Sequence, residues 1–228
     1  MVAANLALAL APSLVLLWWA VRRDSVRKES PRLIVLTFVS GLLAVVPALA
    51  IGLVIDPFGG FVRGVGRTLI QAFIGAALVE EGVKYALLAG LVRRQRQFAQ
   101  AEDGVVYGMA ASLGFAFLEN VIYVTGPPAV LLLRGVTAVP LHAGCGALVG
   151  YTVGRAHFDD RRRPALGLLA AVGVHGTYDA LVFADGWVSY LSLAVVALLV
   201  GLVPHLFRLA IADDVASGRT RQKPSSGP

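Results

Sequence analysis

The sequence has a single cysteine, Cys145, among 228 residues, which leaves no intrachain disulfide and no Cys-based zinc site. Charge is scarce too: Asp, Glu, Lys and Arg make up only 15% of the chain, against about 25% in soluble domains. Apolar residues reach 57% and the mean hydropathy is +0.74. Such a chain lacks the polar surface to coat itself in water. A soluble globular enzyme, a disordered chain and a disulfide-rich secreted scaffold are therefore excluded. No internal repeat stands out.

What is present is a series of long apolar runs. Seven stretches of the length a spanning helix needs, about 20 residues, read as 3–21, 33–55, 68–92, 104–124, 130–154, 164–184 and 187–207. Breakers separate them: Pro31, Asp56-Pro57, Gly59-Gly60, Gly126-Pro127-Pro128, Pro164 and Asp185-Gly186. The expected fold is all-α, a polytopic membrane protein of about seven transmembrane helices. Residues 1–212 form one membrane domain, with catalytic helices over 68–184, and the polar stretch 213–228 reads as a disordered cytoplasmic tail.

The basic residues give an orientation. Of 20 Lys and Arg, 16 fall after the first, third and fifth spans or in the tail; only Arg63, Arg67 and Arg134 fall on the other side. By the positive-inside rule the first set is cytoplasmic, so the N-terminus lies outside and the C-terminus inside. The net charge of +6 is thus topological, and nucleic acid is discarded as a partner. The first span has Arg22-Arg23 after it and no basic residue before it. This is the reverse of a cleavable signal peptide, so it reads as an uncleaved anchor. The preponderance of Arg over Lys, 17 to 3, suggests a bacterial source.

The informative residues are the ionisable ones inside the spans. The third span carries Glu80, Glu81 and Lys84, the fourth Glu119 and Asn120, the fifth His142, and the sixth His175 and Asp179. Five unpaired charges at the bilayer centre would cost on the order of 12–17 kcal/mol, which matches or exceeds a typical folding stability. They must be paired, neutralised or gathered round a wet cavity. Depth allows them to meet. Glu81 lies 12 residues from Arg93, His142 lies 13 from Arg155, and His175 lies 12 from Arg163. All three sit about 18–20 Å from the inner level. Glu119 and Asp179 sit about one turn further out.

Spacing supplies local pairings. Lys84 shares a helix face with Glu80 and Glu81, and His175 with Asp179. Two adjacent carboxylates resist ionising together, and a cation beside them sets which one stays charged. Each group taken alone also has a structural reading: a buried ion pair, an interhelical hydrogen bond, a helix cap. The common depth across four helices is what favours a site.

In order, the motifs are Glu80-Glu81-Gly82-Val83-Lys84, then Phe115-Ala116-Phe117-Leu118-Glu119-Asn120, then Arg134 followed by His142, then His175-Gly176-Thr177-Tyr178-Asp179. Over roughly 70–185 the chain resembles the PrsW family of bacterial intramembrane proteases. It is also similar to the wider CAAX-protease and bacteriocin-processing superfamily, which has a paired-glutamate motif, a phenylalanine–histidine motif and a histidine–asparagine motif. This chain departs from the wider group with Glu119 and Asp179 in place of that second histidine and that asparagine.

The resemblance implies hydrolysis of a peptide bond of a membrane-bound, single-pass protein, such as an anti-sigma factor, in the bacterial cytoplasmic membrane. The lipid bilayer is the other partner. Glu80 or Glu81 would act as general base on water. Glu119, His142, His175 and Asp179 complete the catalytic set, and Lys84, Asn120 and Arg134 support it. The preferred reading needs no cofactor. Its rival is zinc held by His142, His175 and Glu119 or Asp179, a ligand class of catalytic zinc. Buried carboxylates and histidines also build ion- or proton-coupled transporters. That alternative predicts inverted repeats, which are not visible; a non-catalytic scaffold is the remaining one.

Overall fold

A computed structural model describes residues 2–23, 30–60, 62–159, 161–184 and 186–219. Every regular element among them is helical: α1 (Val2–Arg23), α2 (Pro31–Leu43), α3 (Val45–Gly59), α4 (Val65–Ile70), α5 (Val79–Leu87), α6 (Ala101–Ile122), α7 (Pro128–Val136), α8 (Ala138–Phe158), α9 (Ala165–Val182) and α10 (Leu191–Ala216). Among the described residues, six helical segments are long and apolar enough to cross a membrane. The chain is an all-α polytopic membrane protein. Many large apolar side chains, such as Leu53, Val65, Leu169 and Leu198, are exposed, as a lipid-facing surface requires.

Two predicted spans are less regular than their hydropathy suggested. The third is helical from Val65 to Val92 but contains π-helical turns at Gln71–Leu78 and Leu88–Val92 on either side of α5. Such turns are frequent at functional sites. The fifth is broken at Thr137 (φ −122°, ψ −73°), so that α7 and α8 are separate helices. Pro140 explains the break: its ring would clash with the carbonyl of Val136 if one helix ran through. In addition, α10 continues to Ala216, past the boundary at 213 expected from the polar composition. Asp214 is fully buried there and accepts hydrogen bonds from the backbone N–H groups of Ala101 (2.8 Å) and Glu102 (3.0 Å), holding the start of α6. Asp213 pairs with Arg155 at the end of α8. Residues 220–228 of the expected tail lie outside the described residues.

At the centre, α6 packs on α8 along its length, and most of α6 is buried. Glycines make this approach close. Gly104 and Gly108 on α6 face Gly146, Gly150 and Gly154 on α8, and a Cβ on any of them would press into the opposing backbone. Gly41 and Gly114 play the same part where α2 crosses α6. Membrane helices associate through such small-residue contacts because lipid offers no hydrophobic drive between them. Gly150→Val is therefore expected to destabilise the bundle by at least about 1–3 kcal/mol, the range for overpacking. Gly173→Ala, whose Cβ would meet open space, is expected to be neutral. Thermal unfolding of the two variants in detergent micelles checks this.

Candidate active site

Five helices deliver the predicted residues to one place. On α5 the i, i+3 and i+4 positions bring Glu80, Glu81 and Lys84 onto one face. The Lys84 ammonium donates to Glu81 Oε1 at 2.6 Å and lies 3.7 Å from Glu80 Oε2. It also lies 3.1 Å from His142 Nδ1, on α8. An ammonium group has no lone pair to offer, so Nδ1 must accept and the His142 proton resides on Nε2. That Nε2–H donates to Glu119 Oε2, on α6, at 2.8 Å. Glu119 Oε1 is held in turn by Arg134 of α7 at 2.7 Å. The second imidazole, His175 on α9, places Nδ1 2.8 Å from Glu81 Oε1, and its Nε2 lies 3.4 Å from Asp179. The two rings stand perpendicular, 5.0 Å apart. Phe115 covers Lys84, 4.3 Å from its ring centre.

A cavity of about 600 Å³ opens beside this network. Glu80, Glu119, Arg134, His142, His175 and Asp179 all line it. Glu81 does not: it is fully buried beneath Lys84 and His175. The adjacent glutamates are therefore unequal, one facing the cavity and one tying two helices together. Glu80 Oε2 and Glu81 Oε2 both lack a hydrogen-bond partner, so access to the cavity is what separates the two residues.

The carboxylate expected with the two histidines was Glu119 or Asp179; among the described residues, Glu80 is the carboxylate whose ligand atom lies with those of His142 and His175, all within 4.8 Å of one another. Glu119 is instead engaged by Arg134 and His142. The His175 ring is held by Glu81 at hydrogen-bond distance, with Asp179 further off. Asn120 is fully buried away from the cavity, where it receives Arg134 Nε (2.8 Å) and donates to the Ala9 carbonyl of α1 (3.3 Å). It positions Arg134. Among the cavity residues not singled out from sequence are Thr137 and Tyr178. The Tyr178 hydroxyl donates to Thr137 Oγ1 at 3.0 Å, closing the site across the α7–α8 break. Its position three residues after His175 was the available signal.

Paired imidazoles, a cavity-facing carboxylate and buried counter-charges inside a membrane bundle are groups that an intramembrane hydrolase can use. The chain belongs to the PrsW family: residues 29–204 match the family described as PrsW family intramembrane metalloprotease. It is 30% identical to Protease PrsW of Bacillus subtilis (strain 168) over 80% of this chain and 84% of that protein. Protease PrsW of Geobacillus kaustophilus is 31% identical over 82% and 84%. That of Oceanobacillus iheyensis is 29% identical over 92% and 96%. No solved structure matches the chain. The protein is thus a multi-pass membrane peptidase.

Proposed function

We propose that this peptidase cleaves a membrane-bound, single-pass protein, an anti-sigma factor being one such substrate, with Glu80 as the general base. The observation that carries the reading is the inequality of the glutamates: Glu80 lines the cavity, and Glu81 is fully buried and tied to Lys84 and His175. Glu80 takes a proton from a water in the cavity, and the resulting hydroxide attacks the substrate carbonyl. His175, whose Nε2 points toward Asp179, hands a proton to the leaving amine. Arg134 supplies positive charge near the tetrahedral oxyanion, held in place by Glu119 and Asn120. Lys84 fixes Glu81 and so fixes His175. The setting is the bacterial cytoplasmic membrane, with the N-terminus outside and the C-terminus inside, in keeping with the bacterial relatives.

A second reading has its own support. Glu80, His142 and His175 are the donor types of catalytic zinc. Each imidazole also carries a carboxylate on its ring, Glu119 on His142 and Glu81 on His175, as metal-bound histidines commonly do. These three residues would hold a divalent ion if Lys84 gave up His142 Nδ1, the ring nitrogen left for a metal when Nε2 stays on Glu119. When bound, it would make a water acidic enough to yield hydroxide near neutral pH.

Comparison of protein termini in membranes from cells making wild type or Glu80→Gln tests the reading. Termini of a single-pass protein that vanish in the variant support it, and none depending on Glu80 at equal abundance overturns it. Metal analysis of the detergent-purified protein separates the two chemistries. If zinc is resident, His142→Ala and His175→Ala are expected to lose it; equal metal content in all three proteins would argue for glutamate chemistry alone.

A further inference from the structure

A second cavity, of about 360 Å³, adjoins the catalytic one. Its walls are Gly52 and Ile55 of α3, Ile70 of α4, Gln71 and Gly75 of the π-helical turns, and Phe183 at the end of α9. Apart from Gln71 they are apolar or glycine. Ala76 and Phe183 line both cavities, so the two are neighbours divided by one small and one aromatic residue.

Chemistry gives this cavity an occupant. A peptide bond brought to Glu80 lies beside carboxylates and imidazoles, and the neighbouring apolar cavity, which shares Ala76 and Phe183 with the catalytic one, offers a separate seat for a large apolar side chain next to that bond. Its volume lies within the about 300–1,000 Å³ of small-ligand pockets. Both glycines leave the space open: on Gly75 a Cβ would find Ile70 O at 3.9 Å, and on Gly52 it would find Gly75 O at 3.8 Å, ordinary contact distances.

We propose that this cavity is a specificity subsite, which seats a large apolar side chain flanking the scissile bond of the membrane-bound substrate. The proposal rests on the reading of the Glu80 cavity as the site of proteolysis. Gly75→Leu and Gly52→Leu fill the subsite from opposite walls, and neither position lines the catalytic cavity.

The experiment maps protein termini in membranes from cells making wild type, Glu80→Gln, Gly75→Leu or Gly52→Leu, normalised to enzyme abundance. Glu80-dependent termini are expected to carry Leu, Ile, Met or Phe at one position beside the cut. In the leucine variants these fall by about 10–200-fold, the range for a mismatched group in an apolar pocket. Termini with Gly, Ala or Ser at that position persist. Either variant suffices should the other be poorly made. Glu80-dependent termini that lack the apolar preference, or that fall together regardless of side-chain size, overturn the subsite alone. Termini that survive Glu80→Gln overturn the catalytic reading and the subsite with it.

Discussion

Glu80→Gln is expected to leave the protein folded and as abundant as wild type while slowing proteolysis by about 10²–10⁴-fold, the contribution of a positioned general base. The amide is close in shape to the carboxyl group but cannot take a proton from water. Little else depends on Glu80: its nearest cation is Lys84 at 3.7 Å, and Lys84 retains its closer partner Glu81 at 2.6 Å. Glu81→Gln should behave differently. It removes the counter-charge of a buried ammonium and leaves a neutral amide oxygen, a weaker acceptor, for Lys84 and His175 Nδ1. Breaking a buried pair costs about 3–5 kcal/mol, so this variant is expected to lose stability and activity together. Cleavage rate and thermal unfolding midpoint, measured on the same detergent-purified samples, distinguish the two. Normal stability with normal cleavage in Glu80→Gln would remove it as the base.

The second large effect is expected at Lys84, which touches Glu81 and His142 and lies over Phe115. Lys84→Met leaves Glu81 buried with only His175 to meet it. The same penalty of about 3–5 kcal/mol applies, a large part of a typical stability of about 5–15 kcal/mol. The double variant Glu81→Leu/Lys84→Met removes both charges and is expected to recover much of that loss, because apolar replacement of a whole buried pair is often neutral or better. It should remain inactive, since His175 has lost the carboxylate that holds it. Thermal unfolding of Glu81→Leu, Lys84→Met and the double variant forms a cycle whose interaction energy is read directly. Simple additivity would mean that the pair does not act as a unit.

Much of this site was legible in the chain. The positions of Glu81, His142 and His175 relative to basic helix ends put them at one depth, and they do meet through Lys84 and His175. The i, i+3 and i+4 spacing gave Lys84 its two carboxylates. Residues on one helix are related by a fixed period, so such pairings follow from numbering alone. The glycines at 104, 108, 146, 150 and 154 were visible as residues, but their pairing across α6 and α8 was not.

Hydropathy and charge sufficed to establish a polytopic membrane protein and to name the residues that had to be sheltered, because the cost of burying charge in lipid applies to any fold. Rotation of each helix about its axis is another matter. It is decided by how α6 and α8 close on their glycines, where Pro140 breaks α7 from α8, and how the π-helical turns offset the residues on either side of α5. That rotation turns Glu80 to the cavity and Glu81 into the core, puts Glu80 rather than Glu119 with the two imidazoles, and sends Asn120 to Arg134 and α1. Periodicity ties together residues on one helix, but only packing relates one helix to the next.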